Sequence, residues 1–128
     1  HKVKELLDTH TLLWALFTEQ NFSDRAGEVL DDPSHRTLVS IASAWGIAIK
    51  QGLGKLPYLG NLHRLIDEGD TEYLAITSEH CRVYSQLPHD GAHRDPFDQT
   101  LVVQAIEEDA HLLGRDPALD RYNVRRIW

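Results

Sequence analysis

Apolar positions along this chain change period repeatedly, from runs that suit strands to three-and-four spacings that suit helices. Val3 to Leu7 is a short run ending in two leucines. The switch to Asp8-Thr9-His10, followed by Leu12, Leu13, Leu16 and Phe17, predicts strand, turn and helix. Ser23 caps a second helix through Leu30, with Ala26, Val29 and Leu30 inward, closed by Asp31-Asp32-Pro33. Thr37 to Ser40 is a second strand. Ile41 to Gln51 is helical, with Ala44, Trp45, Ile47, Ala48 and Ile49 on a broad apolar side, and Gly52 and Gly54 stop it. A short helix from Pro57 to Gly69 and a strand from Glu72 to Ile76 follow. Thr77 or Ser78 then caps a helix through Val83, Tyr84 and Leu87, ended by Pro88. A polar loop, His89 to His93, leads into Asp95 and a long helix reaching about Asp109, with Leu101, Val102, Ala105 and Ile106 inward. Strands at His111–Gly114 and Val124–Ile127 complete the chain.

Strands separated by helices predict a mostly parallel sheet covered on both faces, a three-layer α/β/α sandwich. The 128 residues, 41% of them hydrophobic, fit one domain over 2–128. No apolar run approaches the roughly 20 residues of a membrane span, and the expectation is a soluble cytoplasmic protein. Without a methionine, His1 reads as a tag remnant or a trimmed end. The single cysteine, Cys81, cannot form an internal disulfide and is expected as a small buried hydrophobe. A net charge of −7 opposes binding of nucleic acid by long-range attraction, so a phosphate-bearing partner needs a local patch or a bound metal.

The chemistry concentrates in four aspartates. Asp8 ends the first strand, Asp95 and Asp98 open the long helix, and Asp116 follows the fourth strand in a second Arg-Asp-Pro. Each Asp-Pro is also a helix-start signal, as is Asp32-Pro33, with the aspartate as N-cap and proline at the first helical position. Right-handed crossovers place strand ends and helix starts on one edge of a parallel sheet, so all four acids are expected at a single crevice. Carboxylates gathered without matching cations repel one another unless protons or metal neutralise them. Hard oxygen donors select Mg²⁺ or Mn²⁺, the ions of metal-assisted phosphodiester hydrolysis. His10, His93 and His111 are placed near the same edge without zinc-ligand spacing, as surface or supporting residues. Trp14 and Trp45 read as core or interface, and Arg94 and Arg115 as phosphate contacts or ion-pair partners.

Taken in order, Leu6-Leu7-Asp8-Thr9-His10 with Leu12-Leu13-Trp14, Ser43-Ala44-Trp45 with Ile47-Ala48-Ile49-Lys50, Gly52-Leu53-Gly54-Lys55-Leu56, Arg94-Asp95-Pro96-Phe97-Asp98 and Arg115-Asp116-Pro117 resemble the PIN-domain ribonucleases, specifically VapC-type toxins. The resemblance implies an α/β/α sandwich and an Mg²⁺- or Mn²⁺-dependent endoribonuclease acting on structured RNA such as tRNA or rRNA. It also implies a cognate antitoxin and a homodimer or toxin–antitoxin hetero-oligomer. By position, Asp8 would be the first metal-binding acid, Asp95 and Asp98 would share the third place, and Asp116 would be the fourth, with Thr9 orienting Asp8.

The second acid of that pattern, a glutamate after Ser-Ala-Trp, is here Gly46. Glycine inside a helix costs roughly 1 kcal/mol against alanine, so it reads as an inactivating substitution or as a natural weakening. Either way the chain is expected to keep the fold and cleave poorly. Two other readings stand beside this one: a non-catalytic PIN-fold module that binds RNA or protein, and an unrelated phosphotransferase with Asp8 as nucleophile. A glycine loop to grip phosphate is missing after Asp8, which disfavours the latter.

Overall fold

The computed structural model describes residues 3–17, 22–56, 64, 66–67, 69, 71–88 and 95–128. In chain order the elements are β1 (Val3–Leu7), α1 (Thr9–Phe17), α2 (Asp24–Asp31), β2 (His35–Ser40), α3 (Ile41–Gly52), β3 (Thr71–Leu74), α4 (Ser78–Tyr84), α5 (Pro96–Glu107), β4 (His111–Leu113), a 3-10 turn (Pro117–Arg121) and β5 (Arg126–Ile127). The helix expected from Pro57 to Gly69 and the loop from His89 to His93 lie almost wholly outside the described residues.

The five strands order as β3-β2-β1-β4-β5, every neighbouring pair parallel. Leu6 stands opposite Leu38 on one side and Leu112 on the other, and Leu7 opposite Val39 and Leu113. Because side chains alternate across a strand, these two rows face opposite layers. Leu6, Leu38 and Leu112 pack on Leu101, Val102 and Ala105 of α5. Leu7, Val39 and Leu113 pack with Leu12 of α1, Ala26 of α2 and Ile47 of α3. The central strands are therefore buried on both faces, as a parallel sheet requires, and each buried leucine contributes about 1.5–3 kcal/mol.

Local signals set the helix starts. Ser23 accepts from the Ala26 amide, Thr77 forms a reciprocal capping box with His80, and Asp95 caps α5 with Pro96 following it. Ser40 caps α3 through the Ala42 amide and donates to Gln104, buried within α5, tying two layers together.

Several expected faces turn out differently. On α3 only Ala42, Ser43 and Ile47 are buried, while Ile41, Trp45, Ile49 and Leu53 stand exposed four residues apart. The sheet sits under one third of that helix, and the remaining apolar positions face outward. Ile106 likewise faces out of α5, and Cys81 is exposed on α4 rather than buried. Asp32 ends α2 instead of starting a helix; its carboxylate accepts from the amide and hydroxyl of Ser34, closing a turn. The last strand is two residues, shorter than expected, because Asn123 to Arg125 lead into it as irregular chain.

Candidate active site

The sheet order reverses between β1 and β4: the chain moves from β1 outward to β2 and β3, then returns to the other side of β1. Ligands in open parallel sheets collect beyond the strand ends at such a switch point. Asp8 follows β1 and Asp116 follows β4, so the two carboxylates flank it.

Asp8 is fixed on three sides. Its amide donates to Leu113 O at 3.0 Å, extending the β1–β4 ladder by one bond, and its carbonyl accepts from Leu12 N to begin α1. Its Oδ1 accepts from the Thr11 amide at 2.7 Å. Thr11 in turn donates its hydroxyl to Leu113 O at 3.0 Å. Asp8 is 5% exposed. Burial pushes its carboxyl above the ordinary range, the Thr11 hydrogen bonds and His10 oppose the rise, and the charge of Asp116 adds to it. Gly114 leaves the room this requires, since a Cβ there would lie 2.6 Å from Asp8 Oδ2.

Asp116 caps the 3-10 turn, its Oδ1 accepting from Ala118 N at 2.9 Å. Asp95 caps α5, its Oδ1 accepting from Phe97 N at 2.8 Å and Asp98 N at 3.3 Å. The capping interpretation thus holds for both, as well as for Asp8. Asp95 is exposed, whereas Asp98, one turn into α5, is half-buried. The start of α5 is braced by Gln99, which accepts from Tyr84 OH at 2.6 Å and donates to Tyr122 OH at 3.3 Å.

Position 46 borders the same helix start. An ideal Cβ on Gly46 would lie 3.5 Å from Phe97 Cδ1, an ordinary contact, so the backbone accepts a side chain there. Trp45 beside it packs edge-on against Phe97, ring centres 5.4 Å apart. Three residues earlier on the same helix face, Ser43 Oγ lies 3.0 Å from Thr9 Oγ1.

A cleft of about 360 Å³ is lined by Asp8, His10, Trp14, Arg115, Asp116 and Pro117. Of the sequence-selected acids, Asp8 and Asp116 meet there; Asp95 and Asp98 belong to the α5 start across from α3. Thr9 pairs with Ser43, and the hydrogen bond that holds Asp8 comes from Thr11 instead. His111 sits at the start of β4 opposite Glu5, below the carboxyl edge where it was expected. Arg94 and His93 lie outside the described residues.

The acids are also less isolated than their spacing suggests. Arg126 on β5 grips Asp120 through two nitrogens at 2.8 and 2.9 Å, donates to Gly114 O at 3.0 Å, and feels the charges of Asp116 and Asp8. Nothing in the local pattern around Arg126 marks it; only the β4–β5 pairing brings it to the site. Among the described residues no three of His, Cys, Asp and Glu come together closely enough to hold a metal ion. The donors therefore suit a hard divalent ion in kind, through two repelling carboxylates, and fall short of a full set in number.

A parallel five-stranded α/β fold with carboxylates at its switch point defines the class, and the sequence places the chain within it: the PIN domain model matches residues 6–124, and the chain belongs to that family. No curated protein sequence matches it. Among solved structures it is similar to VapBC2 from Rickettsia felis bound to a DNA fragment from its promoter, with TM-score 0.72 and 16% identity over 98% of each chain. VapBC-1 from nontypeable Haemophilus influenzae gives TM-score 0.72 at 17% identity over 98% and 97% of the two chains. DNA-bound VapBC from Salmonella typhimurium gives 0.70 at 16% over the same shares. The likeness covers the whole fold.

Proposed function

We propose that the chain is a VapC-type PIN ribonuclease, the toxin of a toxin–antitoxin pair, carrying a weakened active site. The observation that carries this reading is the pairing of Asp8 and Asp116 at the switch point while position 46, where a Cβ would make only ordinary contact with Phe97, holds glycine. Asp8 and Asp116 would begin the Mg²⁺ or Mn²⁺ site in the cleft, and Asp95 or Asp98, at the start of α5, would have to approach them to add a third acid. The ion, when bound, supplies charge neutralisation and an activated water for phosphodiester hydrolysis. Thr11 fixes the Asp8 rotamer, Gly114 admits its carboxylate, and Arg126 limits the repulsion between Asp8 and Asp116. Arg115, exposed in the cleft, and Arg94 would contact RNA phosphate. A glutamate at 46 would complete the acid set; with glycine there, the ion is held by fewer protein oxygens and cleavage is slow.

An antitoxin and a second copy of the chain are the proposed protein partners. Support comes from the VapBC structures that the fold resembles and from the exposed row Ile41, Trp45, Ile49 and Leu53, an apolar surface of the kind partners cover. The decisive experiment is cleavage of end-labelled tRNA and ribosomal RNA by this chain and by Gly46→Glu with Mg²⁺, Mn²⁺ or EDTA. Discrete cuts that need both glutamate and metal are expected. Equal cleavage by both forms would remove the weakened-site reading. Silence from both, in folded protein, would favour a non-catalytic binding module.

A further inference from the structure

One wall of the cleft has no part in holding an ion. Trp14, half-buried on α1, lines it together with His10 and Arg115, both exposed. The His10 and Trp14 rings lie 6.0 Å apart and only 32° from parallel. The Arg115 guanidinium carbon lies 6.0 Å from the Trp14 ring centre. Behind the indole stand Trp128, 5.7 Å away, and Phe22 against Trp128 at 5.9 Å. The indole is thus braced from the core side, and what surrounds it toward the cleft is an imidazole and a guanidinium.

Resting on the ribonuclease reading, we propose that His10, Trp14 and Arg115 form a nucleotide subsite that takes one unpaired base of the RNA by stacking and the neighbouring phosphate by its cation. Three observations favour this ligand. Flat rings with an adjacent guanidinium make the platform on which unpaired bases stack regardless of sequence, whereas a paired base keeps its faces inside the duplex. A chain of net charge −7 needs a local cation for phosphate, and Arg126, a second arginine near Asp8 and Asp116 among the described residues, is engaged by Asp120 and Gly114 O. Arg115 also sits between Gly114 and Asp116, so a phosphate on it is one residue from an acid of the proposed metal site.

The test uses the chain as it stands, with Gly46 in place, so that binding is read apart from the cleavage expected of Gly46→Glu. A fluorescently labelled hairpin RNA with a single-stranded loop, and a blunt duplex of the same length, are titrated in Mg²⁺ against the parent, His10→Ala, Arg115→Ala and Arg115→Lys, with unfolding temperature as a folding control. Loop-RNA affinity should fall roughly tenfold for His10→Ala and for Arg115→Ala. Arg115→Lys should recover only part of the loss, because ammonium keeps the charge without the plane, and tryptophan emission should be quenched on binding the hairpin but not the duplex. Unchanged affinity in all variants overturns the subsite, as does an equal loss for duplex and hairpin. If Gly46→Glu cleaves RNA while His10 and Arg115 variants bind like the parent, the subsite alone fails. If no form, Gly46→Glu included, binds or cleaves RNA, the ribonuclease reading fails with it.

Discussion

Position 46 offers a test of the site that does not depend on finding the RNA. Gly46 lies inside α3, and its Cβ position is 3.5, 3.6 and 3.9 Å from three Phe97 ring carbons. A methyl group there relieves the backbone entropy of glycine without a clash, so Gly46→Ala should stabilise the fold by about 1 kcal/mol. For a domain of this size that raises Tm by roughly 3–5 °C. Gly46→Glu gains nearly the same helix propensity but, on the proposed site, adds a carboxylate to acids that already repel, so without metal it should melt below Gly46→Ala. Mn²⁺ should reverse the order. An ion at a hundred times its Kd stabilises the protein by about 2.7 kcal/mol, a rise of roughly 10 °C, and the gain should be much smaller for the glycine and alanine forms. Circular dichroism melts of the three proteins with EDTA or Mn²⁺ decide it. If Mn²⁺ raises Gly46→Glu no more than Gly46→Ala, position 46 does not face a metal site and the assignment of the missing acid is wrong.

Gly114→Ala puts a methyl group 2.6 Å from Asp8 Oδ2, and because Oδ1 is held by Thr11 the carboxylate cannot swing clear; a loss of about 1–3 kcal/mol in urea melts is expected, with Mn²⁺ stabilisation of the Gly46→Glu background abolished. His111, whose Nδ1 is buried without a partner among the described residues, has its pKa pushed below the ordinary 6.5 by burial and then by Arg125, so the fold takes up its proton less readily than the unfolded chain and stability falls as pH drops below about 6.5. His111→Gln should flatten that part of the stability–pH curve; Glu5, raised by burial, acts in the opposite sense, its contribution declining as pH rises through its folded value. Ile49→Asp, at an exposed position of α3, should lower self-association or antitoxin capture in analytical ultracentrifugation while leaving Tm within a degree or so.

Elements were legible where a local rule fixes them. β1 and the start of α3 fall on the expected residues, and the Ser23, Thr77 and Asp95 caps do as well, because capping and period are short-range chemistry. Which apolar positions face inward was less legible. Trp45, Ile49 and Ile106 carry the same side-chain character as Ile47 and Leu101, and only the position of the sheet under the helix separates them. That Asp8 and Asp116 come to one edge of the sheet was legible through their strand-end positions, whereas the expected meeting of Asp95 and Asp98 with them in one cleft is not seen among the described residues. Ser43, Gly114 and Arg126 were not: Ser43 meets Thr9 across 34 residues of chain, Gly114 approaches Asp8 with no sequence signature, and Arg126 reaches Gly114 O only through the β4–β5 pairing. Thr9 was preferred to Thr11 on adjacency, whereas a helix N-cap side chain bonds the amide three residues on.

Capping a helix does not remove an aspartate from the candidate site. Asp8, Asp95 and Asp116 each spend Oδ1 on an amide at a helix start, which fixes the rotamer and aims the remaining oxygen. A helix start at the carboxyl edge of a parallel sheet is therefore a way of presenting a pre-oriented carboxylate. Asp8 is the sharpest case because its burial disfavours the charge it carries: with its pKa raised in the fold, the ionised form is less stable folded than the protonated form, and the contribution is lost as pH rises through that value. Asn caps as well as Asp without the charge. Asp8→Asn should therefore match or exceed the parent in apo stability at pH 7, while Asp8→Ala loses a cap worth about 1 kcal/mol. In the Gly46→Glu background both should lose the Mn²⁺-dependent rise in Tm and the cleavage. An Asp8→Asn protein clearly less stable than the parent at pH 7 would mean that the carboxylate charge itself holds the fold, and that the site is structural.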